Sequence, residues 1–178
     1  YHFALSLRGD TYLSHGSAVY LAGLTQQQPK TVYVNKEQSP KPSSQGPMVQ
    51  EAIDRAFARP QRRSNYTFRV DNFQIVLVSG KATNNAGVIL DPEWRIPTTC
   101  LERTLIDIAV RPRYAGGVFQ VMEAYRNGIE EIDVDQLIAL LDSLDYRYPY
   151  HQSIGFYLEN AGADESVLQR LRSRGLQF

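Results

Sequence analysis

Residues 98–128 read TTCLERTLIDIAVRPRYAGGVFQVMEAYRNG, and this stretch decides the fold because it spells two punctuated helices in succession. Thr99 is a good N-cap residue, and Glu102 stands three positions on, where its carboxylate can reach back to the cap N–H. Leu101, Leu105, Ile108 and Ala109 then recur at helical spacing and predict one apolar face. Arg111-Pro112 ends that helix, since proline disfavours helical geometry in the residue before it and lacks a backbone donor. Gly116-Gly117 restarts the chain. Val118, Val121, Met122 and Tyr125 repeat the apolar face, and Asn127-Gly128 predicts a left-handed exit. Arg103 and Asp107 are four apart on one side of the first helix. They read as a structural ion pair joining this helix to a neighbour, with a ligand or partner contact as the other reading.

Toward the N-terminus, Ser14 is placed to cap a short helix through Leu24, carrying Ala18, Leu21 and Ala22, with Gly23 near its end. TVYV at 31–34 predicts a strand. Residues 36–47, KEQSPKPSSQGP, have the proline and serine content of a loop. Met48–Ala58 reads as a helix with Met48, Ala52, Ile53 and Ala56 on one side. YTFRV (66–70) and FQIVLVS (73–79), joined by Asp71-Asn72, predict a hairpin. GVIL (87–90) and the segment around Arg95-Ile96 are further strand candidates. Toward the C-terminus, Asp133 and Gln136 form a second capping box ahead of Leu137, Leu140, Leu141 and Leu144. Pro149 opens a helix whose Ile154, Tyr157, Leu158 and Ala161 share a face, and Gly162 closes it. The expected fold is α+β: a small mixed or antiparallel sheet in the N-terminal half, packed with a helical C-terminal half.

The 178 residues amount to one domain, with sheet and helices over 1–128 and a helical subregion over 129–178. Cys100 is the only cysteine, which excludes an intramolecular disulfide and fits a reducing compartment. No apolar run approaches the ~18 residues of a membrane span, and the start lacks the order of a signal peptide. The expectation is a cytoplasmic protein without a membrane partner. The first residue is Tyr rather than Met, so an N-terminal module is expected upstream. The net charge of zero conceals asymmetry: residues 41–113 hold 11 basic and 7 acidic side chains, residues 114–165 hold 2 and 10, and three arginines follow.

Catalytic templates fit poorly. His15-Gly16-Ser17 with Asp133-Val134-Asp135 suggests a nucleotidyltransferase, but the two elements stand too far apart, and the second reads as a helix cap. A metal-dependent nuclease needs an acidic residue two positions before its lysine, and none precedes Lys81 so. His2, His15 and His151 lack metal-ligand spacing. No catalytic residue, metal site or cofactor is therefore expected. Arg55, Arg59, Arg62, Arg63 and Arg69, interleaved with Tyr66 and Phe68, form the candidate nucleic-acid contact, with an ordinary solvated face as the alternative.

One resemblance spans almost the whole chain. Tyr12-Leu13-Ser14-His15 leads to Gly23-Leu24-Thr25, then Thr31-Val32-Tyr33-Val34-Asn35, then Ile96-Pro97-Thr98 before Leu101-Glu102-Arg103-Thr104-Leu105-Ile106-Asp107. Gly116-Gly117 and His151-Gln152-Ser153-Ile154-Gly155-Phe156-Tyr157-Leu158 follow. In this order the segments resemble the AbiEi family, antitoxins and transcriptional regulators of type IV abortive-infection toxin-antitoxin systems. The resemblance implies a non-enzymatic C-terminal antitoxin domain, normally preceded by a winged helix-turn-helix that binds operator DNA. It also implies a cognate nucleotidyltransferase-like toxin as functional partner. The alternative is a nucleic-acid-processing enzyme whose catalytic residues follow no recognised pattern.

Overall fold

The computed structural model describes residues 1–40, 49–58, 61 and 63–175. In chain order its elements are α1 (His2–Ser6), β1 (Tyr12–Leu13), α2 (Gly16–Leu21), β2 (Thr31–Glu37), α3 (Gln50–Phe57), β3 (Thr67–Val70), β4 (Phe73–Gly80), β5 (Val88–Leu90) and β6 (Pro97–Thr99). There follow α4 (Leu101–Val110), a 3₁₀ turn (Pro112–Ala115), α5 (Val118–Gly128), α6 (Val134–Ser143), α7 (Tyr150–Ala161) and α8 (Glu165–Arg172). Every described strand precedes Cys100, and most of the helical residues follow it, which makes the fold α+β.

The sheet runs β3-β4-β2-β1-β6-β5 and is mixed. β3 and β4 form the hairpin that the sequence predicts, with Asp71 at φ 51 in its turn. β2 lies parallel to β4 from Thr31 opposite Gln74 to Glu37 opposite Gly80, so the chain between them must cross over rather than turn back. β1 sits between β2, antiparallel to it, and β6, parallel to it.

Alternation along β2 divides the sheet into two unlike faces. Val32 and Val34 point to one side, where they meet Leu13, Ile75, Leu77 and Ile96 under Ala4 of α1. Tyr33, Asn35 and Glu37 point to the other, as do Tyr12, Val76 and Val78 by register, and there Val76 and Val78 pack with Tyr114 of the 3₁₀ turn. The larger core lies among the helices, where Leu105, Ile106, Ile108, Val121, Tyr125, Leu137, Ile154 and Leu158 cluster. Each such side chain contributes about 1.5–3 kcal/mol on burial. Tyr125 stacks on Tyr157 at 5.1 Å between ring centres and donates its hydroxyl to the Leu105 carbonyl at 3.1 Å.

Several local expectations need correction. α4 is buried on every side from Glu102 to Ala109, not along a single apolar face. Its N-cap residue is Cys100, and Thr99 instead hydrogen-bonds the Thr104 hydroxyl at 2.7 Å. Glu102 caps a different helix: it accepts from the Asp133 N–H at 3.1 Å, while Asp133 accepts from the Gln136 N–H at 3.0 Å. The capping box of α6 is thus completed from another element. Gly128 takes no left-handed conformation; α5 runs through it, and a Cβ there would stand 2.7 Å from Leu24 Cδ2. Close approach, not a turn, demands this glycine. Val118 is half exposed at the start of α5. His15 rather than Ser14 is the N-cap residue of α2, and the last described strand begins at Pro97, beyond Arg95-Ile96. Gly116 and Gly117, at φ 100 and 121, do restart the chain, and Gly162 at φ 89 closes α7. Met48 lies outside the described residues.

Candidate functional site

The polar face of β2 carries a buried network that runs from the sheet into α4. Asn35 donates to the Tyr12 hydroxyl at 2.6 Å, and Tyr12 donates to Glu37 Oε1 at 3.3 Å. Gly80, opposite Glu37, leaves the room that Asn35 fills, since a Cβ there would lie 2.6 Å from Asn35 Nδ2. Glu37 gathers the 81–87 loop: the Thr83 N–H donates at 2.6 Å, the Asn85 N–H at 3.2 Å, and the Thr83 hydroxyl as well. Burial alone would raise the Glu37 carboxyl, but these donors hold it below the ordinary carboxylate range. Tyr12 is pushed well above the usual phenol range, first by burial.

Arg103 joins this loop to the helix. Its Nε donates to Asp107 Oδ1 at 2.9 Å, and its Nη1 donates to the Thr83 hydroxyl at 3.3 Å and to the Ala86 carbonyl. Side-chain exposure is 3% for Arg103 and 6% for Asp107, so the pair is a brace sealed from solvent. Removing one member of such a pair costs about 3–5 kcal/mol, because the other charge stays buried without compensation. Burial works against the Arg103 cation, yet the Asp107 carboxylate holds its pKa above the ordinary arginine value. Two acceptors in the network, Asn35 Oδ1 and Asp107 Oδ2, are buried without a partner among the described residues.

His15 borders the same network. It is buried at φ 51 and ψ −131, outside the backbone regions that L-residues favour, and its Nδ1 shares a 2.8 Å hydrogen bond with the Ser14 hydroxyl. Burial lowers its pKa to about 4; Asp107 opposes that shift, and Arg111 and Arg103 reinforce it. The imidazole is neutral near pH 7. Its ring meets Tyr114 edge-on at 5.1 Å, and Tyr114 lies 5.1 Å from Tyr33. Arg111 stands over Tyr114 at 5.8 Å.

Of the five arginines of the sequence-predicted patch, Arg55, Arg63 and Arg69 are described. Arg59 and Arg62 lie outside the described residues. Arg55 is exposed on α3, and its Nε donates to the Glu51 carbonyl at 3.1 Å. Arg63 is exposed ahead of β3, and its charge reaches the Tyr33 hydroxyl. Arg69 is exposed on edge strand β3 opposite Gln74, which puts it on the same face as Thr31 and Tyr33. Phe68, one residue earlier, points to the opposite face from Arg69. Tyr66, ahead of the strand, is 69% exposed. Among the described residues no three His, Cys, Asp or Glu side chains converge to hold a metal ion. No described helix is long and apolar enough to cross a membrane.

Tyr12, Asn35, Glu37, Thr83, Arg111 and Tyr114 are site residues that sequence reading missed. The alternation Val32-Tyr33-Val34-Asn35-Lys36-Glu37 is the signal that could have found three members of the polar face, because a period of two sends every second residue to one side.

No family model matches the chain, and no curated protein matches it either. Among solved structures, the crystal structure of the RV2827C protein from Mycobacterium tuberculosis is similar in fold, with a TM-score of 0.60 at 16% identity. The match covers 99% of this chain and 57% of that one, so this fold occurs there within a longer polypeptide.

Proposed function

We propose that this chain is the antitoxin part of an AbiEi-type system: a non-enzymatic regulator that counteracts a nucleotidyltransferase-like toxin and assists operator binding. The observation that carries the reading is the state of the Leu101–Asp107 segment, the densest part of the family resemblance. Every residue from Glu102 to Asp107 is buried, and the polar ones bond inward: Glu102 to α6, Arg103 to Asp107 and the 81–87 loop, Thr104 to Thr99 and Cys100. Chemistry on a substrate needs reactive groups that a substrate can reach. A sealed brace supplies rigidity instead, which suits a scaffold that presents surfaces to partners. The acidic balance of residues 114–165 offers one such surface to a basic partner, and exposed Arg55, Arg63 and Arg69 offer another to nucleic acid.

Co-expression with a nucleotidyltransferase-like toxin of the AbiE type tests this reading. The chain restores growth of toxin-expressing cells, and Arg103→Ala loses rescue only in proportion to its loss of folded protein. Failure of a folded, well-expressed chain to rescue overturns the antitoxin role. Hydrolysis of nucleotide or nucleic acid by the purified chain overturns the non-enzymatic one.

A further inference from the structure

A second feature lies apart from the brace, at the end of the sheet, where β3 has β4 on one side and no strand on the other among the described residues. The Leu77 N–H donates to the Tyr66 carbonyl at 2.9 Å, and the register runs unbroken from Thr67 opposite Val76 to Val70 opposite Phe73. Alternation of the antiparallel ladder then turns the backbone groups of Tyr66, Phe68 and Val70 toward β4 and those of Thr67 and Arg69 away from it. The Thr67 N–H is taken locally by the Asn65 carbonyl at 3.1 Å, which leaves the Thr67 carbonyl and both Arg69 groups at the open edge. Edge strands are commonly guarded by lysine, proline or a bulge. β3 has none of these, and its one charge is Arg69.

The side chains at this edge are apolar on one face. Phe68 stands opposite Ile75 and Val70 opposite Phe73, so they share the face on which Ile75 and Leu77 lie under α1. With five residues, α1 covers that face only in part: Phe68 and Phe73 stay 44% and 40% exposed, and Tyr66 more so. Thr67 and Arg69 occupy the other face. Aromatic rings gathered beside unpaired backbone groups call for a partner that supplies both a strand and an apolar face.

We propose that the chain forms a two-fold dimer through β3, which continues the sheet from one copy into the next. Antiparallel pairing about an axis at Phe68 sets Thr67 opposite Arg69 on either side of the axis, so the Arg69 N–H of each copy donates to the Thr67 carbonyl of the other. The two Phe68 side chains then face each other at the closer spacing of a non-hydrogen-bonded pair, with Tyr66 opposite Val70 on the same face. An axis at Arg69 would oppose two guanidiniums, which like-charge repulsion disfavours. A foreign strand would have to bring an apolar side chain opposite Phe68 and no cation opposite Arg69; β3 meets both conditions toward itself. The net charge of zero raises no long-range barrier between copies. Dimerisation here does not depend on the antitoxin role.

Sedimentation velocity of the purified chain at rising concentration, up to ~1 mM, tests it. A monomer–dimer equilibrium is expected. Thr67→Glu, which sets a carboxylate opposite Arg69 at two symmetric places, tightens the dimer roughly twofold to thirtyfold, as two cross-strand pairs of ordinary strength imply. Thr67→Lys, with an ammonium at the same places, weakens it by a similar factor. Thr67 is exposed, and circular dichroism checks that both variants keep the fold. Phe68→Lys opposes two ammoniums at the axis and abolishes the dimer, while its one-to-one mixture with Phe68→Glu forms a heterodimer; this pair reads the register if a Thr67 variant fails to fold. Ile89→Lys, on β5 at the opposite edge of the sheet, leaves the equilibrium unchanged. A chain that stays monomeric, a dimer indifferent to both Thr67 substitutions, or one that Ile89→Lys dissolves overturns the proposal. Because no toxin is present, the result is separate from any failure of rescue.

Discussion

His15 combines two departures from the ordinary: a positive φ in a residue other than glycine, and an imidazole held neutral by burial among Tyr33, Tyr114, Arg103, Arg111 and Asp107. Its folded pKa of about 4 lies below the 6.5 of an unperturbed histidine. In the interval between those values the unfolded chain binds the proton and the folded chain does not. Stability is therefore fully present above pH ~6.5 and falls as the pH drops toward the folded value, by on the order of 3 kcal/mol at ~1.36 kcal/mol per unit. His15→Asn keeps a side chain that tolerates positive φ and removes the titration. Urea midpoints measured at about pH 7 and about pH 5 check this: the wild type loses more stability between them than the variant. Equal losses would show that His15 does not carry the acid sensitivity in this interval.

At the scale of elements, glycines separate conformational need from convenience. Gly155 lies inside α7, where a Cβ would make ordinary contact with Leu171 at 3.8 Å, so Gly155→Ala stabilises by about 0.5–1 kcal/mol through helix propensity. Gly87 sits at φ 71, and a methyl on its Cα would stand only 2.7 Å from Arg103 Cβ, so Gly87→Ala costs about 1–3 kcal/mol and loosens the 81–87 loop. Thermal melts of both variants show midpoints shifted in opposite directions. The same elements show what a sequence can reveal. The β3–β4 hairpin, the Asp133 cap and the α7 stop at Gly162 are local events written in neighbouring residues, and each is legible there. Thr99 misleads because its hydroxyl has a better partner in Thr104, and Glu102 because its acceptor role is taken by an N–H 31 residues away. The polar network escapes for the same reason: Tyr12, Asn35, Glu37, Thr83 and Arg103 meet only after β1, β2 and α4 have come together. No spacing along the chain encodes that meeting.

Over the whole molecule, the charge asymmetry is partly cancelled by the fold. Arg170, Arg172 and Arg174 reach back from α8 and its end to Asp135, Glu159, Glu165 and Asp142 at 2.6–2.8 Å, pinning the last helix to α6 and α7. Each exposed pair is worth ~0–1 kcal/mol, so their main effect is to dilute the negative field of the helical half. Arg55, Arg63 and Arg69 have no such acid partners among the described residues. If they meet phosphates, the triple Ala variant binds operator DNA with a salt slope shallower by roughly 0.9 for each phosphate no longer neutralised. Filter binding across a salt series measures that slope, and an unchanged value returns them to the solvated surface. The position of β1 sets a schedule of another kind. Leu13 pairs with Val34 on one side and Thr98 on the other, and the Thr98 hydroxyl donates to the Leu13 carbonyl across 85 residues of sequence. A ribosome adding ~5–20 residues per second needs roughly 4–17 s to make that span. For that interval the nascent chain holds an open sheet edge beside Leu13, and a trigger for misassociation exists in the cell that disappears once Thr98 clears the exit tunnel.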